Sequence, residues 1–211
     1  MMSSPLVSTV EHPLIARSLT ILRDATTDSA TFRSHLRLIA RLMTAAATQN
    51  APTRGIKVTT PLEETDGYEL THPIVVAPIL RAGLGMAEGV LEMIPDAQVA
   101  HLGLFRDEET LEPKVYYQSF PNDFTNSEIL LIDPMLATGG SSIAAASLLK
   151  EQGAKSIRFL NLVSCPPGIE AFHKIHPDIP IITASIDARL NEQAYIVPGL
   201  GDAGDRYFGT V

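Results

Sequence analysis

The hydrophobic pattern of this chain changes period along its length. Between residues 12 and 48 apolar positions recur every three or four residues. Leu14, Ile15, Leu19 and Leu22 form one set; Phe32, Leu36, Ile39, Ala40 and Met43 form another, after a polar break at Asp24–Asp28. That spacing puts one apolar stripe on each of two helices. Thr27 or Asp28 suits the N-cap of the second, since a short side-chain oxygen there accepts from free N–H groups of the first turn. These helices precede every strong strand, so they are expected to act as a lid or an oligomer contact.

Beyond residue 73 the stripe gives way to continuous apolar runs: IVVAPIL (74–80), VAHLGLF (99–105), EILLID (128–133), SIRFLNLVS (156–164) and IPIITASID (179–187). Such runs suit strands covered on both faces. Helical segments at 84–94, 140–152 and 167–176 separate several of them. The alternation predicts an α/β fold: one domain, residues 1–211, with a mainly parallel twisted sheet flanked by helices. Residues 106–127 are charged, aromatic and turn-rich, which predicts a hairpin or flap rather than a crossover helix. The C-terminal PGLGDAGDRYFGT predicts a glycine-rich loop with no room for another helix.

Composition narrows the class. A chain of 211 residues that is 45% hydrophobic can build a sizeable core. A net charge of −8 argues against a broad nucleic-acid face. Local anion binding through a few arginines, N–H groups or a metal ion stays open. No apolar run approaches the ~18 residues of a membrane span, and no leader pattern opens the sequence. The single cysteine, Cys165, excludes an intramolecular disulfide and reads as a buried apolar residue. A cytoplasmic protein is the expectation.

Candidate chemistry starts at ILLIDPMLATGGSS, where a buried-type strand ends on Asp133. In open α/β sheets the crevice beyond the strand ends holds ligands. The loop then enters a helix near Gly139–Ser142, where free N–H groups and the positive end of the helix dipole favour an anion. Thr138 and Ser141 add hydroxyl donors. One loop therefore offers a phosphate seat and a carboxylate for hydroxyls, the two ends of a ribose 5-phosphate. The plainer alternative is that Asp133 caps its own turn and the glycines only reverse the chain. Arg81 and Arg106 each end a predicted strand, and an arginine so placed can grip an oxyanion with two hydrogen bonds. GLGDAG (199–204) matches a dinucleotide fingerprint letter for letter, but lacks the acidic residue about 20 positions on. His173 and His176 lie three apart with no third ligand, which argues against a metal site.

Taken together, IDPMLATGGS resembles the phosphoribosyl-diphosphate (PRPP) loop of type I phosphoribosyltransferases. With VAPILRAGLGM (76–86), GLFRDEET (103–110) and YIVPGLGDAGDR (195–206), the chain resembles the uracil phosphoribosyltransferase family over nearly its whole length. The resemblance implies formation of UMP and diphosphate from uracil and PRPP. It implies PRPP contacts at Arg81, Arg106, Asp133, Pro134, Met135, Leu136, Ala137, Thr138, Gly139, Gly140, Ser141 and Asp202. It places uracil at Ile196, Gly201, Asp202 and Ala203, largely through main-chain groups, and gives catalytic roles to Asp133, Arg106 and Asp202. Mg²⁺ is implied as cofactor, held mainly by PRPP and water rather than by a protein cage. A homo-oligomer and a GTP activator are implied partners; nucleic acid and membrane are not. The broader pattern is broken at Pro134 and Ala137, where many members carry acids, so the proton acceptor for uracil N1 is unassigned among Asp202, diphosphate and water. Competing readings are another phosphoribosyltransferase, an RNA-binding regulator on the same fold, and a non-catalytic nucleotide-binding subunit.

Overall fold

The computed structural model describes residues 6–106, 113–122 and 124–210. In chain order the elements run β1 (Val7–Thr9), α1 (Pro13–Arg23), α2 (Ser29–Thr48), β2 (Thr53–Thr59), β3 (Glu64–Leu70), β4 (Ile74–Leu80), α3 (Gly83–Met93), β5 (Gln98–Val99) and β6 (His101–Arg106). They continue with β7 (Pro113–Ser119), β8 (Glu128–Ile132), β9 (Met135–Leu136), α4 (Gly140–Glu151), β10 (Ser156–Ser164), α5 (Pro166–Ile175), β11 (Ile181–Ile186), β12 (Arg189–Leu190), β13 (Ile196–Val197) and α6 (Ala203–Phe208). The main sheet has the order β1-β11-β10-β8-β4-β6-β7. All of its neighbours on this path are parallel except β6 and β7.

The continuous apolar runs are explained by two cores, one on each face. In β8, Leu130 and Ile132 face a core built with α1, α2 and α3, while Ile129 and Leu131 face one built with α4 and α5. In β4, Ile74 and Val76 point one way and Val75, Ala77 and Ile79 the other. A strand side chain alternates faces, so a strand covered twice must be apolar at every position.

Several expectations change. The N-terminal helices are a core layer rather than a lid: Phe32, Leu36, Ile39 and Met43 of α2 are fully buried. Asp28, not Thr27, caps α2, accepting from the Thr31 N–H at 2.7 Å. After β6, β7 pairs antiparallel with it, and residues 107–112 of the expected hairpin or flap lie outside the described residues. The C-terminal loop does hold a helix. Asp202 caps α6 by accepting from the Asp205 N–H at 2.8 Å, and Gly209 ends it at φ +68°. Six residues are too few for a visible apolar stripe, so the glycines on either side dominated the pattern. The short edge strand β1 and the exposed hairpin β2–β3 carry no strong apolar run and were not anticipated. No described helix is long and apolar enough to cross a membrane.

The crossing of α2 and α3 depends on Gly89. A Cβ there would stand 2.6 Å from the Arg37 carbonyl oxygen and 2.8 Å from the Ala40 Cβ. Gly89→Ala should therefore destabilise by about 1–3 kcal/mol, although alanine is the better helix former by ~1 kcal/mol. Urea unfolding checks this; a more stable variant would show that the two helices can separate freely.

Candidate active site

Parallel pairing brings the candidate residues to one edge. Pro78 of β4 is level with Ile132 of β8, which is followed in register by Leu160 of β10. The chain leaves β4 at Arg81, β8 at Asp133 and β10 at Cys165 on the same side of the sheet. A cleft of about 240 Å³ opens there, lined by Asp133, Met135 and Ala137 on one side and by Ile196, Gly201, Asp202 and Ala203 on the other. Ala82, Ala194, Tyr195 and Gly204 complete the wall. These four were not singled out from the sequence. Tyr195 is the one with a readable signal, an aromatic ring at the head of the glycine-rich segment. Ala194 has φ +64°, which nothing in its sequence context announces.

Asp133 is half-buried at the cleft floor, and its Oδ1 accepts a long hydrogen bond of 3.4 Å from the Met135 N–H. Burial pushes its pKa from 3.8 up to about 7; the Met135 N–H opposes the rise and the charge on Asp202 adds to it. The charge on Asp202 thus adds to the burial that disfavours ionised Asp133, an effect that hydroxyl donors or a cation would offset. Among the described residues, no group of three or more His, Cys, Asp or Glu side chains is placed to hold a metal ion.

The loop 134–141 is braced from below. The Pro134 carbonyl accepts from the Leu162 and Val163 N–H groups at 3.0 Å, and Met135–Leu136 pairs with Val163–Ser164. Pro134 and the Leu136 side chain are buried. Cys165, fully buried, gives its N–H to the Leu136 carbonyl at 3.2 Å and its thiol to the Ala137 carbonyl at 3.2 Å. Gly168 presses so close that a Cβ there would overlap the Ala137 carbonyl oxygen and stand 2.6 Å from that of Leu136. Thr138 is exposed, and Gly139, at φ +85°, caps α4 without a side-chain hydrogen bond. The N–H groups of Gly140, Ser141 and Ser142 form the first helical turn, which has no intrahelical acceptors. The Ser142 hydroxyl turns back to the Gly139 carbonyl at 3.0 Å.

Arg81 does not line the cleft. Its exposed guanidinium lies over the Phe208 ring, 5.6 Å from the centroid, and 4.0 Å from the Asp205 carboxylate. Arg106 ends β6, as expected, but its side chain lies outside the described residues, as do Asp107, Glu108 and Glu109. His173 and His176 are tied to backbone carbonyls, of Ile179 at 3.0 Å and Ile143 at 3.1 Å.

A helix start, two carboxylates and a glycine-rich wall thus lie at one sheet edge. The architecture is that of the phosphoribosyltransferases: an adenine phosphoribosyl transferase from Trypanosoma brucei matches with a TM-score of 0.58 over 96% of this chain and 90% of that one, at 14% identity, a likeness of fold alone. At the level of sequence the match is narrower, and the chain belongs to the uracil phosphoribosyltransferase family, whose model spans residues 9–210. A uracil phosphoribosyltransferase from Dictyoglomus turgidum is 50% identical over 206 residues, 97% of this chain and 100% of that protein. The AQ2163 protein from Aquifex aeolicus has a structure matching with a TM-score of 0.91 at 32% identity, over 96% of this chain and 97% of that one.

The raised pKa of Asp133 has a sign that can be tested without ligand. A carboxyl whose folded pKa lies above its unfolded value contributes its full stability below about pH 4 and loses it as pH rises through about 7. Asp133→Asn should therefore stabilise the ligand-free protein by on the order of 4 kcal/mol at pH 8, the gain shrinking as pH falls from 7 towards 4. Thermal unfolding across that range checks it, and a gain independent of pH would remove the ionisation account.

Proposed function

We propose that this cleft transfers the 5-phosphoribosyl group of PRPP to N1 of uracil, giving UMP and diphosphate. The observation that carries the reading is the meeting of Asp133, Met135 and Ala137, on the loop that runs into α4, with Ile196 and Gly201–Ala203 in one cleft. The two halves of a nucleotide need those two kinds of surface side by side.

In this reading the free N–H groups from Thr138 to Ser141 hold the 5′-phosphate, favoured by the helix dipole. Asp133 accepts from ribose hydroxyls, which stabilises its charged form and orients the sugar. As the C1′–diphosphate bond lengthens, positive charge develops on the ribose ring and negative charge on the leaving group. Arg81 leaves its seat on Phe208 and Asp205 to meet the diphosphate, with Arg106 beside it. Pro134 and Leu136 contribute shape, since their side chains are buried and their carbonyls are already bonded. Uracil presents two carbonyl acceptors and an N–H between them to main-chain groups at Ile196, Gly201 and Ala203. Cytosine reverses a donor and an acceptor there, at ~1–3 kcal/mol for each buried group left unpaired. Asp202 caps α6 and faces PRPP or its metal. No single side-chain base is assigned to the uracil N1 proton.

The conflict between Asp133 and Asp202 fits a divalent cation that takes most of its ligands from substrate and water, and Mg²⁺ bound there would neutralise diphosphate charge. We assign the protein to the cytoplasm as a homo-oligomer, with GTP as an activator tested in the same assay.

The test is UMP formation from uracil and PRPP with Mg²⁺, with cytosine, orotate, adenine and hypoxanthine in parallel. UMP from uracil alone, lost on chelation of the metal, is the expected result. Failure with uracil both with and without GTP, while PRPP still binds, would overturn the base assignment. Gly168→Ala should displace the loop it supports and raise KM for PRPP about 10-fold or more, leaving KM for uracil within about 2-fold. Equal rises in both would mean that Gly168 supports the whole fold and not the phosphate seat.

A further inference from the structure

The segment that forms the base side of the cleft is held by a partly buried ion pair that does not line the cleft. Asp187 follows β11 and is 6% exposed. Its Oδ1 accepts from Arg23 Nη2 at 2.7 Å and from the Ser185 hydroxyl at 2.9 Å; its Oδ2 accepts from Arg23 Nη1 at 2.7 Å and from the Gly199 N–H at 2.8 Å. Arg23, at the last turn of α1, also donates to the Gly199 carbonyl at 2.8 Å. The pair thus holds one residue by both its main-chain groups, the N–H from the acid and the carbonyl from the base. Gly199 sits at φ +59°, and a Cβ there would overlap the Ile196 carbonyl oxygen.

We infer that Arg23 and Asp187 are positioning residues that set the path of the segment 196–203 and thereby decide which base the cleft accepts. This rests on the proposed function above. Gly199 lies two residues before Gly201 and four before Ala203. A second hold comes from Arg206, which donates to the Leu200 carbonyl at 2.8 Å, to the Leu22 carbonyl and to the Asp24 carbonyl at 2.6 Å. The peptide groups facing the cleft are therefore hung between fixed points on α1 and β11. A site that reads a base through peptide groups has no side chain to adjust, so its donor and acceptor order depends on where the chain is pinned. A buried ion pair is weak evidence of stability, because desolvation offsets its attraction, and fixing a register is its best-attested use.

The test separates register from stability. Arg23→Met with Asp187→Leu replaces the pair by apolar groups that can pack, and Arg23→Lys keeps the charge but not the two-pronged donor. In the double variant we expect a lowered thermal midpoint, because the Gly199 main-chain groups and the Ser185 hydroxyl lose their partners, with KM for uracil raised about 10-fold or more and KM for PRPP within about 2-fold. The ratio of kcat/KM for uracil over cytosine should fall with it. Arg23→Lys should move the same two quantities by a smaller factor, and it decides the matter if the double variant does not fold. Unchanged uracil KM and base ratio, or KM values for both substrates rising together, would overturn the inference while leaving the activity standing. A wild-type protein that makes no UMP would overturn the activity, and the inference with it.

Discussion

Parallel pairing of β4, β8 and β10 is the constraint from which the site follows. A parallel strand can be joined to its neighbour only by a chain that crosses back over the sheet, so these three strands release their chains at the same edge. Arg81, Asp133 and Cys165 leave three successive strands in space although 52 and 32 residues separate them in sequence. The same pairing demands cover on both faces, which supplies the two cores and makes the strands rigid where they end. A functional edge is then held by packing that extends well away from it.

Electrostatics at that edge are arranged for a ligand that brings its own charge. The protein is acidic overall, at −8, and two of its carboxylates face the cleft. Alone, Asp133 is pushed towards its neutral form by burial and by Asp202. Positive character next to the cleft comes from main-chain N–H groups at the start of α4, where the loop from Ala137 leads, while the Arg81 guanidinium rests on Phe208 and beside Asp205. In the proposed reaction an anionic substrate with its cation would satisfy both signs at once, and the empty protein would carry the cost of the mismatch.

How much of this was legible in the sequence depends on the range of the interaction involved. The buried strands and the amphipathic helices are local patterns, and their positions came within a residue or two. Asp133 and the loop after it were visible because the strand, the acid and the glycines are contiguous. The six-residue α6 was hidden by flanking glycines, and β1 and the hairpin β2–β3 by their lack of a strong apolar run. Arg81 was legible as a strand-end residue, but its resting place on Phe208 was not, because that contact joins positions 127 residues apart. The brace under the loop 134–141 was illegible for a similar reason: Cys165 reads as an ordinary buried residue until its neighbours are known.

Gly199 ties the letters of its segment to backbone shape. Side chains in the segment around it answer to conformation: glycine at 199 and 201 because φ is positive, aspartate at 202 because a helix begins there. If peptide groups do the reading, the letters of that segment are constrained by shape and do not spell the ligand. The letters that do so sit at 23 and 187, on other elements and outside the cleft. Selectivity in such a site is stored remotely, and two proteins with identical base segments can differ in what they accept.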